Sequence, residues 1–136
     1  MESGSERRPR LLFVCVENSC RSQMAEGFAR AVGGESLEAL SAGSRPSGAV
    51  NERAIAFMAE RGVDLSTHRS RSIDEVASGV FDAVVTMGCG DACPHVPADR
   101  RLDWDLPDPK ELDDAGFRAV RDEIERRVLE LISSTG

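Results

Sequence analysis

The chain has 136 residues, of which 40% are hydrophobic and 30% charged, and it carries a formal net charge of −7 at pH 7. That length suits one domain around one core, and the composition is that of a soluble globular protein. The acidic balance argues against a general nucleic-acid or membrane surface, no run is apolar for long enough to span a bilayer, and any anionic substrate must be drawn by a local field.

Residues 1–9 are read as a disordered tail, polar and Arg-bearing, without the apolar stretch of a secretory signal. A cytoplasmic location is therefore expected, and residues 10–136 form the folded domain. Arg10 to Val16 reads as a first strand, apolar on both faces and so central in a sheet. A helix from Arg21 to about Val32 follows, with Met24, Phe28, Ala31 and Val32 in an amphipathic pattern and Gly33-Gly34 ending it. Leu37 to Ala42 is a second strand, closed by Gly43. Asn51 can cap a helix to about Arg61, with Gly62 after its end. Asp64 to Ser72 is an irregular link, and Ile73 to Ala77 a short helix. Phe81 to Met87 is a third strand, β-branched and apolar. Gly88 to Pro97 is a loop rich in Gly, Pro and Cys, and Arg100 to Trp104 a short fourth strand. After a loop with two prolines, Asp113 or Asp114 starts a last helix to about Ile132 with the stripe Phe117, Val120, Ile124, Val128 and Leu131. Strands alternating with helices predict an α/β fold with a mostly parallel sheet. Ligands bind such sheets at the carboxyl ends of the strands, where the loop after the first strand lies.

That loop, Cys15-Val16-Glu17-Asn18-Ser19-Cys20-Arg21-Ser22, carries the clearest chemistry. A strand, a tight loop and a helix in succession aim backbone N–H groups at one spot, with the positive end of the helix dipole behind them. Residues 15 to 21 then form an oxyanion cradle with a thiol at its base. Its N–H groups and the Arg21 guanidinium favour the thiolate form of Cys15. Arg21 can grip two oxygens of a tetrahedral anion at once, and Ser22 can donate to the sulfur when it becomes a leaving group. These are the parts for nucleophilic attack on a phosphate-like oxyanion. Such attack needs an acid for the departing oxygen. Asp108, held extended by Pro109, is a candidate beside Asp105 and Asp103, and all three also read as solvated loop carboxylates. Trp104, the single Trp, either walls the cleft or fills the core.

The loop and the run from Asn18 to Glu26 resemble the low-molecular-weight protein tyrosine phosphatase superfamily and, within it, the thioredoxin-coupled arsenate reductases. The resemblance extends from Leu11 to about Leu131. It implies a single-domain three-layer sandwich with a four-stranded parallel sheet in the order 2-1-3-4. It implies Asp108 of Asp108-Pro109 as the general acid. It also gives Cys89 and Cys93 a role: Cys15 attacks arsenate, Cys89 resolves the adduct, and Cys93 reopens the resulting disulfide. The pair is more closely spaced here than in those relatives, with three residues between, although Gly88, Gly90 and Pro94 keep the loop deformable. Asn18 and Ser41 of Ser41-Ala42-Gly43 match positions that fix the loop. Some reductases bind a monovalent cation beside the positions of Asn18, Glu26 and Ser41. The remaining position of that set is Arg71 here, whose guanidinium would pair with Glu26 and make the cation unnecessary. His68 matches a position read as a loop brace.

Arsenate is the expected substrate, with thioredoxin as reductant, or a glutaredoxin or low-molecular-weight thiol system in its place. No cofactor, metal, nucleic acid or membrane is expected. The alternative is a tyrosine phosphatase working through a cysteinyl-phosphate. Such phosphatases follow the Asp-Pro with tyrosines, whereas this chain contains no Tyr and continues Lys110-Glu111. A zinc module on Cys89, Cys93 and His95, with Cys20 or Asp91, is a third reading, weakened by the absence of a second paired cluster. Cys20 is either a packed inert thiol or a partner for a protective disulfide with Cys15.

Overall fold

Leu11, Phe13 and Cys15 point to one side of the first strand, β1 (Arg10–Cys15), and Leu12 and Val14 to the other. Both sides are buried, which is why the run reads as continuously apolar. The computed structural model describes residues 8–76, 78–87 and 96–135. Within them β1 is flanked by β2 (Glu38–Gly43) and β3 (Phe81–Thr86), with β4 (Ala98–Asp103) beyond β3. The order is β2-β1-β3-β4 and every pairing is parallel. This is the predicted single-domain architecture.

One face of the sheet meets α1 (Arg21–Gly33), α2 (Glu52–Ala59) and α4 (Asp114–Thr135) in a core that includes Phe13, Met24, Phe28, Met58, Phe117 and Ile124. On the other face Leu12, Val14 and Val84 pack with Ile73 and Val76 of α3 (Ile73–Val76). Full burial of such side chains contributes about 1.5–3 kcal/mol each. The predicted stripe of α4, from Phe117 through Leu131, is buried along its length. Asn51 caps α2 as expected, its side chain accepting from Arg53 N and Ala54 N. Asp113 is the residue that starts α4: its Oδ1 accepts from Gly116 N at 2.9 Å.

Several boundaries move. β1 stops at Cys15, so Val16 belongs to the loop, where its carbonyl accepts from Arg45 N. β4 starts at Ala98 because Phe81 of β3 pairs with it, although the strand is mostly exposed and carries no apolar signature. Trp104 falls just outside it. α2 ends at Ala59, before the turn at Gly62 (φ 77°). A short 3-10 turn, Pro109–Glu111, replaces the expected loop because the Asp108 side chain accepts from Lys110 N. Residues 1–7 of the predicted tail, and 88–95 with Cys89, Cys93 and His95, lie outside the described residues. Among the described residues no helix is long and apolar enough to cross a membrane.

Candidate active site at the carboxyl end of β1

The loop between β1 and α1 is held by its carbonyls. Val16 O accepts from Arg45 N (2.8 Å), Glu17 O from Ser47 N (3.1 Å), Ser19 O from Asn51 N (2.9 Å) and Cys20 O from Met24 N (2.9 Å). Ser70 Oγ also donates to Glu17 O at 2.7 Å. No described group accepts from the N–H groups of residues 17 to 20. The loop thus turns its acceptors to the scaffold and keeps donors for a ligand. α1 behind it has neither a side-chain cap nor an acidic residue in its first turn, so its positive end is left uncompensated.

Asn18 is the pivot. It is fully buried with φ 53°, a left-handed conformation that Asn tolerates better than most residues. Its Oδ1 accepts from Arg71 N (2.7 Å) and Gln23 Nε2 (3.0 Å), which orients Nδ2 to donate to Ser22 Oγ at 2.8 Å. Ser22 Oγ lies 2.9 Å from Cys15 Sγ. Asn18 takes one acceptor site of the hydroxyl and orients it, so its hydrogen can be donated to the sulfur. Gln23 Nε2 also donates to Arg69 O (2.8 Å), so its Oε1 is the acceptor of the 2.9 Å contact with His68 Nδ1. His68 therefore carries its proton on Nδ1. Burial holds the imidazole below its ordinary range against the pull of the Glu26 carboxylate.

A second layer closes on Glu26, buried in α1. Ser41 Oγ donates to its Oε1 at 2.5 Å, Arg71 Nη2 lies 3.3 Å from the same oxygen, and Arg30 Nε lies 2.7 Å from Oε2. Two guanidinium groups and a hydroxyl satisfy this carboxylate. Arg71 Nε, also buried, has no partner among the described residues.

The loop opens on a cavity of about 330 Å³ lined by Cys15, Val16, Glu17, Ser19, Cys20, Arg21, Asp108 and Lys110. Arg21 Nη1 donates to Leu106 O (2.9 Å), which ties the guanidinium to the segment that carries Asp108. Of the three carboxylates considered, Asp108 alone lines the cavity. Asp105 is exposed, and Asp103 accepts from Thr86 Oγ1 at 2.8 Å. Trp104 packs on Phe13 (ring centroids 6.0 Å apart) and faces a groove along α4 instead. Cys15 and Cys20 are both free thiols. Burial pushes Cys20 up to about 12, which keeps it protonated and a poor nucleophile at neutral pH. Among the described residues no three His, Cys, Asp or Glu side chains cluster as metal ligands.

Three contributors were not singled out from the sequence. Gln23 braces Asn18, and its only signal was an amide between buried neighbours on α1. A Cβ on Gly43 would sit 2.6 Å from Val16 O and 2.9 Å from Asn18 N. Lys110, noted only as not being Tyr, forms an ion pair with Glu17. Its ammonium lowers the Glu17 carboxyl, and the carboxylate raises Lys110 in return.

A four-stranded parallel α/β sheet with a Cys-to-Arg loop after an inner strand and an Asp-Pro lining the same cavity defines the class of fold and site. The profile of the low molecular weight phosphotyrosine protein phosphatase family matches residues 10–135, and the chain belongs to that family. It is 40% identical over 128 residues to an arsenate reductase of Halalkalibacterium halodurans, covering 87% of this chain and 91% of that protein. A glutaredoxin arsenate reductase of Synechocystis is 39% identical over 127 residues, covering 91% and 96%. The thioredoxin-dependent arsenate reductase of Corynebacterium glutamicum superposes with a TM-score of 0.78 at 35% identity, covering 97% of this chain and 63% of that chain.

Proposed function

We propose that the protein reduces arsenate to arsenite. The cavity that brings Cys15, Arg21 and Asp108 together carries this reading, and the arsenate reductases among its relatives support it. The Cys15 thiolate attacks arsenic. A sulfur–arsenic bond forms, an arsenic–oxygen bond breaks, and Asp108 gives its proton to the departing oxygen, which leaves as water. Arg21 and the loop N–H groups hold the remaining oxygens. Ser22, oriented by Asn18, donates to the sulfur and stabilises it as thiolate.

The electrons come from thiols. Cys89 attacks Cys15 Sγ, so a disulfide forms, and the sulfur–arsenic pair of electrons stays on arsenic, which departs as arsenite. Cys93 then attacks Cys89, freeing Cys15 and leaving a Cys89–Cys93 disulfide. The dithiol of thioredoxin reduces it. A glutaredoxin system is the alternative reductant, as the name of the Synechocystis relative suggests. Arg71 pairs with Glu26, which supports a loop braced by a guanidinium in place of a monovalent cation. Because the first step is common to thiolate phosphatases, slow aryl phosphate hydrolysis is compatible with this site.

Steady-state arsenate reduction with thioredoxin, thioredoxin reductase and NADPH, set beside aryl phosphate hydrolysis, tests the proposal. NADPH oxidation dependent on arsenate is the expected result. Hydrolysis of the ester without any arsenate-dependent oxidation would assign the chain to the phosphatase reading.

A further inference from the structure

Two hollows meet at the oxyanion loop. One, of about 330 Å³, holds Cys15, Arg21 and Asp108. The other, of about 460 Å³, runs along Ser47, Val50 and Arg53. Glu17, Ser19 and Lys110 line both, so these side chains stand in the wall between them. Glu17 comes from the oxyanion loop and Lys110 from the turn after Asp108-Pro109, and their charged ends are paired across the gap. The wall is braced at each end. Ser19 Oγ lies 3.5 Å from Glu17 Oε1, and Lys110 N donates to Asp108 Oδ1 at 3.1 Å.

We infer that the Glu17–Lys110 ion pair is the specificity-determining partition of the site, selecting against leaving groups larger than a single oxygen. The inference rests on the proposed attack of Cys15 on an oxyanion. In-line displacement puts the departing group opposite the sulfur, on the side of the acid that protonates it. Asp108 marks that side, and Lys110 borders it two residues further on. The departing oxygen of arsenate ends there. The carbon of an ester leaving group must continue past Asp108, and the second hollow adjoins the first there, sharing Glu17, Ser19 and Lys110 with it. A ring entering that way separates a carboxylate from an ammonium and lays an apolar surface against both, which is unfavourable for each charge.

Titration calorimetry with inorganic phosphate and with phenylphosphonate, two anions of similar charge, reads the partition directly. Wild type is compared with Glu17→Ala, Lys110→Ala and the charge-reversed double variant Glu17→Lys/Lys110→Glu. Partly exposed ion pairs contribute little to folding, so these variants are expected to fold. Wild type should favour phosphate. Each alanine variant should shift the affinity ratio toward phenylphosphonate by at least about tenfold, or about 1.4 kcal/mol. The double variant should return the ratio toward wild type, because taking the ratio cancels the altered local field. A ratio unchanged in both alanine variants overturns the inference, as does a double variant that admits phenylphosphonate as freely as they do. Arsenate turnover by wild type is scored separately. Its absence removes the reductase reading while the probe ratio still judges the partition.

Discussion

Replacing Gly43 with Ala tests whether the last residue of β2 shapes the oxyanion loop. The added Cβ would lie 2.6 Å from Val16 O, 2.9 Å from Asn18 N and 3.0 Å from the Glu17 carbonyl carbon, all of them backbone atoms. The tightest contact is about 0.8 Å inside the 3.4 Å at which ordinary contact begins. No side chain can swing away, so loop and strand must share the displacement. Both are pinned: Gly43 is in register with Cys15 and donates to Arg71 O, while Glu17 O accepts from Ser47 N and Ser70 Oγ. Overpacking of this kind costs about 1–3 kcal/mol of stability. A shift approaching 1 Å in a reacting group lowers turnover about 10²-fold. Gly43→Ala should therefore lose about two decades of arsenate kcat/KM while its urea midpoint shows the protein still folded. Gly48→Ala is the control. Its φ of +91° disfavours a side chain, but nothing lies within 4 Å, so it should lose about 1 kcal/mol and little activity. A Gly43→Ala enzyme with wild-type kcat/KM would refute the close-packing argument.

Further outcomes follow from the same geometry. Cys15→Ser should abolish arsenate turnover in the coupled NADPH assay, because a serine hydroxyl at this position is not ionised at neutral pH. Arg21→Lys keeps the charge but loses the two-pronged grip, and should lower kcat/KM by about 10²–10³-fold, as loss of an oxyanion donor does. Asp108→Asn should slow the first chemical step by about 10²–10⁴-fold in single-turnover measurements, with Asp105→Asn far milder; the reverse ranking would reassign the acid. After one turnover without reductant, thiol trapping of Cys93→Ser should find Cys15 linked to Cys89, and wild type should show Cys89–Cys93; normal thioredoxin-driven cycling of the variant would remove the relay. Glu60, hydrogen-bonded first by Arg118 and then by Arg121, is held down to about 2 from 4.5. A depressed carboxyl stabilises the fold above its unfolded value and loses that contribution as the pH falls through the folded one. Glu60→Gln should thus flatten the stability–pH curve between about pH 4.5 and pH 2 in acid titrations followed by circular dichroism.

The fold was legible wherever burial writes a period. β1 and β3 are covered on both faces and appear as continuous apolar runs, and α4 shows its buried stripe at helical spacing. β4 was harder. It is an edge strand whose register comes from hydrogen bonds to β3, and backbone pairing leaves no trace in side-chain type, so the sequence places its start at Arg100 and leaves Ala98 and Asp99 unassigned. The end of α2 was missed for a related reason: Glu60 and Arg61 are good helix formers, but Gly62 in a left-handed conformation turns the chain there.

The site divides along the same line. Cys15, Arg21 and Asp108 stood out because few residues can serve as thiolate, bidentate cation and positioned acid. What shapes the cradle is spread along the chain. Asn18 sits at φ 53°, a conformation that costs a non-glycine residue about 1 kcal/mol or more. It stays there because Arg71 N and Gln23 Nε2 both bond its Oδ1, while Gln23 is itself held by Arg69 O and His68. Gly43 supplies the space, and Ser47 and Asn51 anchor the carbonyls. None of these residues is in the motif except Asn18. The eight residues from Cys15 to Ser22 therefore specify the chemistry without specifying their own conformation. Grafted onto another strand–loop–helix, they would keep the thiol and the guanidinium. They would lack the donors that hold Asn18 left-handed, and with them the aim of Ser22 at the sulfur.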